Sequence, residues 1–256
     1  MTIPFVKAHG ARNDFLLSWA DEVSTTRFST AAIAICDRNT GVGADGWILV
    51  DPAKPAIRLI NADGSDAEIS GNGTRCAAAL LVEAGLAEKT VSLQTGAGPK
   101  RLQLVSHRGK TFVFEMDMGQ PEVQEDTQID GFLCLILWVG NPQCAIVTDT
   151  IPETWVEIGR KLESHPRFPN RTNVSFVRAL DRHTVEARFY ERGAGWTKSS
   201  GTGSTGAAFA AMHRGLVEPP VTVITEAGPL EIRSQGTLWL TGPAEITARG
   251  EFFWNE

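Results

Sequence analysis

The stretch Ser70-Gly71-Asn72-Gly73-Thr74-Arg75-Cys76-Ala77-Ala78-Ala79 decides the fold, because 130 residues later the chain writes it again as Ser200-Gly201-Thr202-Gly203-Ser204-Thr205-Gly206-Ala207-Ala208. Each copy is a glycine-rich turn running into small, helix-favouring residues, and each helix meets a glycine at its far end, Gly85 and Gly215. A serine ahead of a helix is a good N-cap, since its hydroxyl accepts one of the orphan N–H groups of the first turn. Glycines around the cap let a small anion approach those N–H groups. A single copy reads equally well as an ordinary capped helix. Two copies in register say more.

The repeat extends beyond the motif. At the same offset Arg58-Leu59-Ile60-Asn61 matches Arg188-Phe189-Tyr190-Glu191, setting a polar residue nine before each serine. Thr95-Gly96-Ala97-Gly98-Pro99 matches Thr225-Glu226-Ala227-Gly228-Pro229, and upstream Gly43–Val50 is set against Asn173–Leu180. This register predicts an α+β fold of two similar domains, each a mostly antiparallel sheet wrapped around a central helix. The expected halves are residues 1–120 and 121–256, with room for the last few residues to pack back on the first. Two helix N-termini converging on one cleft would form a double electropositive trap for a carboxylate, built on Gly71, Asn72, Gly201 and Thr202.

The intervening elements follow from pattern. Short apolar runs at Ile3–Val6, Phe15–Trp19, Trp47–Val50, Ala56–Ile60, Thr90–Gln94, Arg101–Ser106 and Thr111–Met116 read as strands of the first half, with a helix near Phe28–Cys36. The second half repeats the order, with a helix near Thr154–Glu163. The acidic, proline-containing segment Gln120–Asp130 reads as the crossover between halves.

Composition narrows the function. A net charge of −6 and a pI near 5.5 argue against nucleic acid or an anionic membrane as partner. The longest apolar run, Phe132–Val139, is too short to span a bilayer, and the N-terminus lacks the basic and apolar regions of a secretory signal. Cys36, Cys76, Cys134 and Cys144 form no CxxC pair. A soluble cytoplasmic protein without a metal site is expected.

The ordered strings His9-Gly10, Asn13-Asp14-Phe15, Gly41-Val42-Gly43, Asp45, Asn61-Ala62-Asp63-Gly64-Ser65, Gly71–Cys76, Gly140-Asn141-Pro142, Glu163-Ser164-His165, Asn173 and Tyr190-Glu191-Arg192-Gly193 resemble the diaminopimelate epimerase family over nearly the whole length. The resemblance implies two similar domains, a place in lysine biosynthesis and an isomerase needing neither pyridoxal phosphate nor any other cofactor. It implies a small amino-acid substrate, and leaves a homodimer open. In the family two cysteines at the helix N-termini remove and return the Cα proton; the matching positions here are Ser70 and Ser200. Gln143 replaces a histidine, Gly46 a glutamine, Arg12 a glycine and Trp196 a glutamate. The resemblance assigns Asn61, Asn173 and Arg192 to the distal carboxylate of the substrate, Glu191 to its ammonium, and Asn13 and Asn141 to the lining.

A fork of Arg192 with two amides suits a carboxylate, because guanidinium binds it in bidentate fashion. Each of these residues also has a plain reading: exposed loop charges for Glu191 and Arg192, turn formers for the asparagines. Asp63 and Asp66 are candidates to hydrogen-bond the glycine-rich turn, His9 to orient the first loop, and Cys76 to be an inert core thiol. Three functions are compatible with the residues. They are an epimerase or racemase with a serine pair, another proton-transfer isomerase on this fold, and a paralogue that binds amino acids without chemistry. No Ser–His–Asp set for a hydrolase is readable.

Overall fold

A computed structural model describes residues 1–254, which form two compact units. The first is Met1–Met116 together with Gly242–Glu256, of which 242–254 are described; the second is the continuous segment Asp117–Thr241. In chain order the first stretch carries β1 (Thr2–Gly10), β2 (Asn13–Trp19), α1 (Phe28–Cys36), β3 (Gly46–Asp51), β4 (Ala56–Asn61), β5 (Asp66–Ala67), α2 (Gly71–Glu83), β6 (Thr90–Thr95), β7 (Gly98–Arg108) and β8 (Thr111–Gly119). There follow β9 (Glu122–Ile129), β10 (Phe132–Trp138), β11 (Pro142–Val147), α3 (Trp155–Glu163), β12 (Asn173–Asp181), β13 (Thr184–Glu191), β14 (Gly195–Thr197), α4 (Gly201–His213), β15 (Val221–Thr225), β16 (Gly228–Gln235) and β17 (Thr237–Phe253).

Pairing within the two units follows one rule. In the first, β1–β2, β3–β4, β6–β7 and β7–β8 are antiparallel, while β2–β3 and β4–β6 are parallel. β17 pairs with both β1 and β8, so the sheet closes on itself. In the second, β9–β10, β10–β11, β12–β13, β15–β16 and β16–β17 are antiparallel, while β11–β12 and β13–β15 are parallel. The duplication reaches single residues: Leu59 faces Ala67 in the β4–β5 hairpin as Phe189 faces Thr197 in β13–β14.

Each sheet wraps one helix. α2 packs against β1, β2, β3, β4 and β6, and α4 against β10, β11, β12, β13, β15 and β16. Every residue from Gly71 to Leu81 is buried, and so is nearly all of Gly201–Ala211. A helix enclosed on all sides cannot carry a polar stripe, which is why the repeated motif is alanine and glycine rather than amphipathic. Sheet side chains press on the first turns: a Cβ at Gly73 would meet Ile48 at 2.9 Å, and one at Gly203 would meet Phe189 at 2.8 Å. Second-layer helices α1 and α3 cover β3–β4 and β12–β13 from outside, making the apolar clusters around Trp47 and Phe176.

Two expectations need correction. The segment read as a crossover, Gln120–Asp130, is largely the strand β9, paired along β10 from Phe132↔Ile129 to Trp138↔Glu122. Ladder bonds use backbone groups, so a strand with one solvated face tolerates the acidic side chains that suggested a loop. The upstream block is also out of register by three. Trp47 faces Ile60, whereas Val174 faces Tyr190, so β3 corresponds to β12 at an offset of 127. The second copy is three residues longer between the paired positions, and the extra length lies in its strands: β12 and β13 span nine and eight residues against six each for β3 and β4, around a shorter turn.

One buried cation braces the first unit. Arg75 is fully buried, and its guanidinium donates to the Gly71 carbonyl (3.3 Å), Asn72 Oδ1 (2.5 Å) and the Pro243 carbonyl (3.1 Å). Burial lowers its pKa to about 10, so it stays charged at neutral pH. Arg75→Ala removes these charge-assisted bonds and leaves both a cavity and buried acceptors without a donor. We expect a loss of about 2–5 kcal/mol of stability in urea unfolding monitored by circular dichroism.

Candidate active site

Both repeated serines are N-caps. The hydroxyl of Ser70 accepts from the Gly73 N–H at 3.1 Å, and that of Ser200 from the Gly203 N–H at 3.1 Å. The glycines that follow have no side chain to compete for this space, and the extended backbone at each serine turns the hydroxyl back over the first turn. The surroundings of the two caps differ.

In the first unit the helix end is tied to a charged cluster. Asn72 Nδ2 donates to Asn13 Oδ1 (3.2 Å), and Asn13 Nδ2 to Asp45 Oδ2 (2.7 Å). Arg38 bridges Asp45 and Asp14 at 2.7 Å each, and Lys7 sits 3.2 Å from Asp14. Burial works to raise the Asp14 carboxyl, but Arg38 and Lys7 hold it below the ordinary carboxylate value. Asp45 is raised, by burial and by the charge of Asp14 beside it. Asn61 ends β4 and donates to the Ser65 hydroxyl (3.0 Å).

In the second unit the helix end meets hydroxyls and a carboxylate. Ser200 Oγ donates to Glu191 Oε1 at 2.6 Å, and Thr197 Oγ1 donates to Glu191 Oε2 at 2.8 Å. Gln143, fully buried, donates to Asn141 Oδ1 (2.6 Å) and Thr202 Oγ1 (3.2 Å), and Asn141 Nδ2 reaches the same hydroxyl at 3.4 Å. Asn173 donates to the Pro142 carbonyl (2.8 Å) and accepts the Arg192 backbone N–H (3.0 Å), while the Arg192 guanidinium lies 3.5 Å from the Asn170 carbonyl.

Thus Ser200, Thr202, Asn141, Asn173, Glu191 and Arg192 fall in the second unit around α4, and Asn13, Ser70, Gly71 and Asn72 in the first around α2. The aspartates expected at the glycine-rich turn serve their own loop instead. Asp63 accepts the Ser65 N–H and hydroxyl two residues on, and Asp66 pairs with Arg58. An Asx turn satisfies a short side chain locally before it can reach the helix. Cys76 is fully buried, and burial pushes its thiol up to about 12. His9 lies 3.8 Å from Glu245. Thr197 and the Arg38 cluster went unread. Thr197 was within reach, since strand alternation across the Glu191–Thr197 hairpin puts both side chains on one face.

A sequence profile described as diaminopimelate epimerase matches residues 5–124 and 136–247. The chain belongs to the diaminopimelate epimerase family. It is 36% identical over 274 residues to the diaminopimelate epimerase of Pelotomaculum thermopropionicum, covering 97% of this chain and 98% of that one. Against the diaminopimelate epimerase of Bacteroides thetaiotaomicron it is 36% identical over 265 residues, covering 97% of each. Solved structures share the fold at much lower identity. A hydroxyproline epimerase from Agrobacterium vitis with bound trans-4-hydroxy-L-proline gives a TM-score of 0.74 at 16% identity, over 98% of this chain and 90% of that one. A phenazine biosynthesis protein from Bacillus anthracis gives 0.70 at 14% identity, over 98% and 99%. The family is one of isomerases, and its fold is shared with a phenazine biosynthesis protein.

Because both serines cap a helix, Ser70→Ala and Ser200→Ala should each cost about 0.5–2 kcal/mol of stability. Ser200→Ala also takes a donor from Glu191. Chemical unfolding of the two single variants measures both effects.

Proposed function

We propose that this family member is a cofactor-independent isomerase acting at the Cα of a small amino-acid zwitterion, with Ser70 and Ser200 in the acid–base positions. The observation that carries the reading is the 2.6 Å hydrogen bond from Ser200 Oγ to Glu191. An isolated hydroxyl is a poor base near neutral pH, and it becomes useful when a neighbouring group takes its proton. Glu191 stands where that proton would go, and Thr197 fixes its second oxygen. Backbone N–H groups at Gly71, Asn72, Gly201 and Thr202 are suited to the substrate's α-carboxylate. Asn61, Asn173 and Arg192 are the proposed partners of a distal carboxylate, and Asn13 and Asn141 complete the lining.

The serine pair sets the rate. A thiol at a helix N-terminus can be substantially ionised, whereas a hydroxyl is not, and the helix dipole supplies only ~0.3–1 kcal/mol at an exposed end. Positioned acid–base groups contribute typically ~10²–10⁴-fold each, though paired losses do not multiply.

Turnover of L,L-diaminopimelate should therefore fall well below the ~10 s⁻¹ typical of enzymes. Proton NMR in deuterium oxide, with the intact protein and L,L-diaminopimelate, measures it; turnover near that figure would show that a serine pair suffices. Independently, Arg192→Ala should weaken amino-acid binding by about 1.5–3 kcal/mol if its guanidinium makes a charge-assisted bond to the ligand. Unaltered affinity in calorimetry removes Arg192 from the site.

A further inference from the structure

The duplicated frame makes its two serines directly comparable, and they are not chemically equivalent. Nine residues before Ser200 stands Glu191; nine before Ser70 stands Asn61. Both end the first strand of a hairpin, β4–β5 or β13–β14, and the pairing of that hairpin matches in the two units, Leu59↔Ala67 against Phe189↔Thr197. Thr197, which holds the second oxygen of Glu191, has Ala67 as its counterpart. The Asn61 amide is turned to the Ser65 hydroxyl at 3.0 Å. Ser70 Oγ accepts the Gly73 N–H, and among the described residues it donates to no carboxylate.

This difference would matter little for a pair of thiols, because a thiolate can form at a helix N-terminus without a neighbouring base. For hydroxyls it decides the outcome. A carboxylate can accept a proton from serine, and a neutral amide cannot. Resting on the isomerase reading above, we propose that proton transfer at the substrate Cα runs through the Ser200–Glu191 pair alone, so that the chain exchanges the Cα proton of one configuration with retention and inverts it only slowly. The Cα–H bond breaks as its proton passes to Ser200 Oγ, whose own hydroxyl proton moves to Glu191. The electron pair left on Cα is delocalised into the substrate carboxylate. The protons held by Ser200 Oγ and Glu191 both exchange with solvent before the sequence reverses, so that Oγ returns a solvent proton to Cα from the same side. Glu191 acts through Ser200 and is a positioning and proton-accepting residue rather than one that attacks the substrate.

The test uses the intact protein in deuterium oxide with L,L- and meso-diaminopimelate and with both enantiomers of a panel of amino acids. Proton NMR follows loss of the Cα signal, and chiral chromatography follows inversion. We expect exchange confined to centres of one configuration and outrunning inversion by at least about tenfold. Glu191→Gln should lower the exchange rate by ~10²-fold or more and remove the acid limb of its pH profile, with KM changed far less than kcat. Glu191→Asp, which keeps the carboxylate, should recover part of the rate and guards against a folding defect in the amide variant. Exchange and inversion at equal rates on both configurations, or exchange that survives Glu191→Gln, would overturn the one-sided mechanism and leave the isomerase reading standing. No exchange with any compound of the panel would overturn both.

Discussion

A helix that is buried on every side must settle its ends, and this requirement organises the chain. α2 and α4 are each enclosed by a sheet, so the four orphan N–H groups of their first turns cannot rely on bulk water. Serine caps satisfy one donor in each, and the glycines that follow let sheet side chains such as Ile48 and Phe189 close over the turn. What remains at each helix N-terminus is a small concentration of positive potential. The position of the proposed site follows from enclosing a helix in a sheet.

The same frame is finished differently in its two copies. At α2 the neighbours form a charged knot of Lys7, Asp14, Arg38 and Asp45 that fixes Asn13 and, through it, Asn72. At α4 the corresponding ground is held by Gln143, Asn141 and Thr202, with Glu191 and Thr197 around the cap. The backbone repeats while the polar complement diverges.

Much of this was legible before any coordinates. Helices α1 and α3 follow from pattern, and the internal repeat fixes α2, α4 and the strands that follow them. The upstream register differs by three because β12 and β13 are longer than β3 and β4, and a hairpin can lengthen at its far end without moving the paired positions beside the helix. Strand β9 was hidden by its acidic outer face. At the site, the serines and Glu191 could be named from their place in the repeat, but not the hydrogen bond between Glu191 and Ser200. That contact depends on the twist of a hairpin; Asp63 turns to its own loop because a short polar side chain takes the nearest backbone donor, and Asp66 turns to the Arg58 guanidinium.

The last strand imposes an order of events on the nascent chain. β17 spans Thr237–Phe253, its first residues paired with β16 and its later ones with β1, where the Met1 ammonium and carbonyl meet Trp254. The second unit is one uninterrupted segment, and its contacts are all available once Thr241 has left the ribosome. The first unit, although begun first, lacks β17 beside β1 until the segment from Gly242 has been made. Its N-terminal strand has to be held unpaired on one side while more than half the polypeptide is made, a situation in which exposed strand edges invite wrong partners. A change in β17 beyond Gly242 therefore acts on the amino-terminal half of the protein.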